Sequence, residues 1–142
     1  RSVVCKAHKQ ILETNELKLF KSYKEDYPDG GQKRDFVYVK DCIDIMFWLL
    51  NNKTVNGLFN VGTGNAKTWN DLGNAIFKAM DKKPNIKYIE MPESIRNQYQ
   101  YFTEASITKL RKAGYDKSIT LLDDAVKDYV TNYLVNESTL SA

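Results

Sequence analysis

Lys21, Lys24, Lys33 and Arg34 flank one turn-rich loop, and a set of cations like this can hold an anion. Within the loop, Pro28-Asp29-Gly30-Gly31 supplies residues that pre-set or free the backbone for a tight turn. Arg34 stands where an alternating segment, Phe36-Val37-Tyr38-Val39, begins. A planar guanidinium fixed by a strand suits a diphosphate. A solvated hairpin loop would use the same residues, and charge alone leaves the two readings level. The stretch Arg96-Asn97-Gln98-Tyr99-Gln100-Tyr101-Phe102 mixes rings with amides, as sugar pockets do. Its plainer reading is a surface loop anchored by its rings.

Other chemistries fare worse. Gly62-Thr63-Gly64 follows a short apolar run and precedes a helical pattern, as a dinucleotide loop does. Yet Lys67 takes the place of the third glycine, and no acid stands at a strand end ~20 residues on. The loop therefore reads as a structural turn. His8 is the single histidine and has polar neighbours, which predicts a solvated side chain. Cys5 and Cys42 have neither metal-ligand spacing nor an electropositive loop around them. No metal site and no nucleophile–histidine pair is expected.

The elements that must position these residues alternate in type. Val3, Val4, Ala7, Ile11 and Leu12 recur at helical spacing over residues 2–14. Leu17 to Tyr23 alternates and reads as a strand, so residues 17–39 are expected to form a hairpin with a long loop. Asp41 is expected to cap the next helix, with Asp44 completing a capping pair. From Ile43 to Leu50 only Asp44 is polar, which predicts burial on most sides. Leu58 to Val61 reads as a strand inside a sheet. Thr68 caps a helix from Trp69 to about Met80, with Asp71 at its third position. Ile86 to Met91 is a strand, and residues 93–103 are irregular. Thr103 is expected to cap a short helix that stops at Ala113-Gly114-Tyr115. Thr120 is expected to cap the last helix, and the tail over residues 136–142 to fray.

The 142 residues amount to about one domain, with 42% hydrophobic and 12% aromatic residues, enough for a core. A net charge of +3 is too even to argue for nucleic acid. No apolar run approaches the ~20 residues that cross a bilayer. Two thiols in a chain of this size fit reduced cysteines and a cytoplasmic setting. The chain opens on Arg1 inside a helical pattern, so we expect it to be part of a longer protein.

Read together, Arg34-Asp35-Phe36-Val37-Tyr38-Val39-x-Asp41 and Gly57-Leu58-Phe59-Asn60-Val61-Gly62-Thr63-Gly64 resemble the C-terminal half of extended short-chain dehydrogenase/reductase enzymes that act on nucleotide sugars. Tyr99-Gln100-Tyr101-Phe102-Thr103 and Leu110-Arg111-Lys112-Ala113-Gly114-Tyr115-Asp116-Lys117 narrow the resemblance to the branch that acts on an ADP-heptose. The resemblance covers the chain to about Val135. It implies an α/β fold in which residues 1–135 form the substrate-binding, C-terminal part of a Rossmann-type enzyme. A separate N-terminal Rossmann domain would hold NADP and carry the catalytic residues, none of which this chain supplies. The implied reaction inverts C6 of the sugar through a transient ketone, in the making of the lipopolysaccharide inner-core heptose precursor. The intact protein would be a homo-oligomer, and this portion alone inactive. By position, Phe20, Lys21, Ser22 and Tyr23 would contact the nucleotide, Arg34 its diphosphate, and Tyr99 the substrate. Lys6 falls where the family places a histidine, and the loop from Lys24 to Gln32 is longer than the family's. Another NAD(P)-dependent nucleotide-sugar epimerase or dehydratase is the nearest alternative. A stand-alone module binding a sugar or nucleic acid is the more distant one.

Overall fold

Ser2 accepts a hydrogen bond from the Cys5 amide at 3.1 Å and so starts the first helix, α1 (Val3–Thr14). Asn15, at φ 53°, ends it in the left-handed conformation that asparagine tolerates. The computed structural model describes residues 2–135, and the expected frayed tail, 136–142, lies outside them. The strand β1 (Leu17–Phe20) follows, then a long loop to β2 (Lys33–Arg34). The helix α2 (Val39–Asn51), strand β3 (Lys67–Thr68), helix α3 (Trp69–Ala79) and strand β4 (Ile86–Ile89) complete the middle of the chain. Three helices close it: α4 (Glu93–Arg96), α5 (Thr108–Lys112) and α6 (Leu122–Tyr129), the last continued by a π-helical turn, Val130–Leu134.

The expected hairpin does not form. β1 pairs in parallel with β4, Leu17 opposite Ile86 and Phe20 opposite Ile89. β2 pairs antiparallel with β3, Lys33 opposite Thr68 and Arg34 opposite Lys67. The Pro28–Gly31 turn is made, but it closes the loop upon itself. Gly30 donates to the Phe20 carbonyl at 3.3 Å, and the Ser22 amide donates to Asp29 Oδ1 at 2.7 Å. The strand expected at Phe36 to Val39 does not form: residues 36–38 are irregular, and Val39 opens α2. Leu58 to Val61 is not a strand either, and Leu58 is 86% exposed.

The main core lies between α1, α3, the β1/β4 pair and α6. Ile11, Leu17, Leu72, Ile76, Phe77, Val126 and Val130 fill it, each at least nine-tenths buried. Thr68 and Asp71 form the expected capping box on α3, the Asp71 amide donating to Thr68 Oγ1 and the Thr68 amide to Asp71 Oδ2, both at 2.9 Å. A smaller core joins Ile45 of α2 to Leu110 and Tyr115. The expected stop after α5 is present. Gly114, at φ 105°, donates to Arg111, and the amide of the buried Tyr115 reaches back to the Leu110 carbonyl at 3.3 Å.

Asp41 and Thr120 were each expected to cap a helix of their own, and instead they bind one another. The Thr120 hydroxyl and amide donate to the buried Asp41 carboxylate at 2.7 and 3.1 Å. A carboxylate inside the first turn of α2 still meets the positive end of the helix, while its acceptors tie α2 to the approach to α6. Tyr38 and Leu121 stand at the helix starts without a side-chain cap. The short helix expected to be capped by Thr103 starts later, at Thr108, and Ile107 before it gives no side-chain cap. α2 is not buried on most sides. Ile45 is covered, while Ile43, Met46, Phe47 and Leu50 are exposed. His8 also departs from expectation: it is 7% exposed, packed beside Ala7 and Ile11 rather than solvated. Among the described residues no helix is long and apolar enough to cross a membrane.

Candidate substrate-binding site

The loop after β1 is held from both sides, and this assembles the site. On one side, the Trp69 amide donates to Gln32 and the Asn70 amide to Gly30, at 3.2 and 3.0 Å. On the other, the Lys33 amide donates to the Tyr101 carbonyl at 2.8 Å and the Thr103 amide returns to Lys33 at 3.3 Å. The segment from Tyr99 to Thr103 is thereby laid along β2, far from it in sequence. The buried Gln32 amide reaches Lys21 O at 3.3 Å and fixes the start of the loop.

Tyr99 is the meeting point. Its ring stands edge-on to Phe20 at 6.3 Å and to Tyr101 at 5.5 Å, and the Arg34 guanidinium lies 5.3 Å from its centroid. Each such ring pair contributes about 0.5–1.5 kcal/mol beyond burial. Arg34 also donates to the carbonyl of Lys33 at 2.8 Å, which leaves the remaining N–H donors of its fork available. Burial pushes the Tyr99 phenol up in pKa, against the Arg34 charge and the Trp69 N–H. The Trp69 indole N–H itself is buried without a well-formed hydrogen bond. Phe20, Tyr99 and Trp69 share a cavity of about 340 Å³ with Lys6, whose exposed side chain stands at its edge.

Lys21, Ser22 and Tyr23 go elsewhere. They leave the C-terminal end of β1 beside Glu90, which leaves the end of the neighbouring β4. Lys21 Nζ lies 2.6 Å from Glu90 Oε1, and the Tyr23 hydroxyl donates to Oε2. Arg96 stacks on the Tyr23 ring at 4.1 Å, with an Nη 3.8 Å from Glu90 Oε2. The Tyr23 amide donates to the Tyr101 hydroxyl at 3.0 Å, which joins this group to the Tyr99 side. Ligands of open parallel sheets sit outside the carboxyl ends of the strands, where both groups lie.

Two side chains beneath the site were not signalled by the sequence. Asp35, next to Arg34, accepts from the Thr63 amide at 2.8 Å, the Thr63 hydroxyl at 2.5 Å, the Gly64 amide at 3.1 Å and the Ala105 amide at 2.9 Å. Burial raises its pKa, but these donors overcome that and hold it below the usual carboxylate range. A Cβ on Gly62 would stand 2.6 Å from Asp35 Oδ2, so only glycine fits there. The other is Glu90. Lone acids in runs of mixed charge give no cue to either.

The Gly62-Thr63-Gly64 loop is thus occupied with Asp35. Its amides face an internal carboxylate and do not offer themselves to a phosphate, so this loop does not fit a dinucleotide. The arrangement can bind an anionic, ring-bearing ligand: a cation fork, edge-on phenols and a largely apolar cavity. It contains no assembled acid, base and nucleophile.

Residues 1–62 match the NAD dependent epimerase/dehydratase family. The chain is 58% identical over 134 residues to the ADP-L-glycero-D-manno-heptose-6-epimerase of Nitratidesulfovibrio vulgaris (strain DP4), covering 94% of this chain and 42% of that protein. It is 49% identical over 144 residues to the enzyme of the same name from Fusobacterium nucleatum, covering 97% and 43%. The chain therefore spans about two-fifths of the length of these curated relatives. Its fold matches the crystal structure of the Helicobacter pylori ADP-L-glycero-D-manno-heptose-6-epimerase (TM-score 0.68, 24% identity, 92% of this chain and 37% of that one). It also matches the UDP-N-acetylglucosamine 4-epimerase of Methanobrevibacter ruminantium M1 (TM-score 0.75, 21% identity, 96% and 40%). The chain is thus similar to these enzymes, as its motifs are, and its fold is mixed α/β.

Proposed function

We propose that residues 1–135 form the substrate-binding region of an NADP-dependent ADP-heptose 6-epimerase. The whole protein would act in the cytoplasm on the precursor of the lipopolysaccharide inner-core heptose. Phe20, Tyr99 and Arg34 carry the reading: Phe20 and Tyr99, far apart in sequence, line one cavity, and the Arg34 guanidinium lies over the Tyr99 ring, in a chain so similar to proteins of that name. In this reading Arg34 takes the diphosphate, Tyr99 and Phe20 pack against the ligand, and Lys6 closes the cavity edge. Lys21, Ser22 and Tyr23 supply the contacts at the end of β1. The cofactor would be held by a Rossmann domain beyond these residues and would supply the hydride chemistry at C6. The exposed apolar face of α2, with Ile43, Met46, Phe47 and Leu50, is where we place that domain. A homo-oligomer is the expected form of the whole protein.

The test is to give the full-length protein NADP and ADP-heptose and follow C6 configuration by NMR. Inversion at C6 supports the reading, and residues 1–142 alone are expected to give none. Turnover of a UDP- or GDP-sugar with no effect on ADP-heptose would assign the site to another nucleotide-sugar epimerase or dehydratase. Binding of oligonucleotides with a steep salt dependence would point to a nucleic-acid module instead.

A further inference from the structure

Glu90 has no part in the reading above, yet both its carboxylate oxygens are taken. Oε1 pairs with Lys21 Nζ at 2.6 Å, and Oε2 takes the Tyr23 hydroxyl and lies 3.8 Å from Arg96. These partners come from two places far apart in sequence: the loop that follows β1, and α4. The arrangement of donors therefore exists only in the folded chain. Arg96 is further oriented by its Nε donating to the Met91 carbonyl at 2.7 Å and by its stacking on Tyr23. Two cations and a hydroxyl converging on a pair of oxygens is the pattern a phosphate oxygen pair would meet. Lys21 and Arg96 are balanced by Glu90 and by Glu93, whose Oε1 lies 3.9 Å from Arg96, so departure of Glu90 leaves the cluster with a net charge of +1 for an incoming anion. The carboxylate is open to solvent, its side chain 61% exposed, so an incoming anion can reach it and it can leave.

We propose that Glu90 is an internal counter-anion: it holds Lys21, Tyr23 and Arg96 in place in the ligand-free protein, and a phosphate-class group of the ligand exchanges for it. This rests on the nucleotide-sugar reading only for the identity of the ligand. The exchange itself needs only an anion with two or more oxygens. Glu90 thereby sets specificity by charge. A pyrophosphate-bearing ligand displaces it, while a singly charged carboxylate of the same size gains nothing by the exchange. The Lys21 and Tyr23 pKa values, both raised chiefly by the bond to Glu90, agree with a carboxylate that stays ionised there.

The experiment compares wild type, Glu90→Gln and Glu90→Ala in the full-length protein by isothermal titration calorimetry. Inorganic pyrophosphate and ADP are separate probes, and thermal unfolding checks the fold. Removing an exposed competitor ion pair is expected to tighten pyrophosphate and ADP by about three- to fivefold in both variants. Lys21→Ala and Arg96→Ala are expected to weaken both probes. Unchanged or weaker binding in folded Glu90→Gln and Glu90→Ala overturns the exchange and makes Glu90 a fixed support. The two readings fail separately. If pyrophosphate responds to Glu90 but ADP does not bind, the exchange stands and the nucleotide-sugar reading falls. If ADP binds normally and ignores Glu90, the reverse holds. If neither probe binds, both are overturned.

Discussion

Replacing Asp35 by Ala is expected to loosen the frame on which Arg34 sits. The carboxylate accepts three backbone amides, from Thr63, Gly64 and Ala105, and one hydroxyl. Hydrogen bonds to a charged group contribute about 1.5–3 kcal/mol each when removed singly, but losses within one cluster do not add. Water will reach the Gly64 amide, which is exposed, and will relieve part of the loss. A net loss of about 2–4 kcal/mol follows, a large share of the 5–15 kcal/mol typical of a domain. With a urea slope of about 2 kcal/mol/M, the unfolding midpoint falls by roughly 1–2 M. Asp35→Asn places an amide donor against backbone donors and is expected to lose about as much. The linkage gives a second reading. A depressed carboxylate pKa adds stability that is present above the unfolded value near 4 and is lost as pH falls through the folded value. The acid limb of the wild-type stability curve is therefore expected to flatten in Asp35→Asn. A midpoint shift under about 0.3 M in both variants would refute the reasoning and make the Asp35 cluster incidental.

Burial lowers the His8 pKa, so the folded state prefers the neutral ring. Stability is then full above the unfolded value of about 6.5 and declines as pH falls below it, so thermal midpoints measured from pH 7.5 to 5.5 should fall in wild type and hold nearly level in His8→Gln. Tyr38 is pushed up to about 12, first by burial and then by its bond to Asp128, so spectrophotometric titration of Asp128→Asn should return part of that shift towards 10. Asp128 itself is held down to about 2 by Lys40 first and Tyr38 second, so this tie between the start of α2 and α6 should survive to strongly acid pH. Asp41→Ala leaves the Thr120 amide and hydroxyl without their acceptor and should cost about 1–3 kcal/mol in a denaturant curve, with Thr120→Val milder.

The helices were legible because their signals are local. The apolar spacing of α1 and α3, and Thr68 with Asp71 at a cap, act within a few residues. Strand pairing was not. Leu17 to Phe20 reads the same whether its partner lies across a turn or, as here, at Ile86 to Ile89. The partner is set by α3 packing across the pair, which no local pattern records. Asp41 and Thr120 each carry a true capping signature, and each was drawn away by the other once the fold brought them together. His8 was misjudged because polar residues surround it in sequence, while the fold buries it together with Ala7 and Ile11 of the same helix. Of the site, Arg34 and Phe20 were legible from charge, position and resemblance. Their meeting with Tyr99 depends on the segment 101–103 lying along β2 through backbone bonds, which carry no side-chain signature.

The most direct test of the site is the affinity of the full-length protein for ADP-heptose with Arg34 and Tyr99 changed. Arg34→Ala removes a charge-assisted fork from a diphosphate and is expected to weaken binding by roughly thirtyfold or more, with Arg34→Lys recovering only part. Tyr99→Ala, which also unseats the Phe20 and Arg34 contacts, is expected to weaken it by about tenfold. Affinity in folded Arg34→Ala and Tyr99→Ala equal to that of wild type would contradict the assignment of this cavity to the nucleotide sugar.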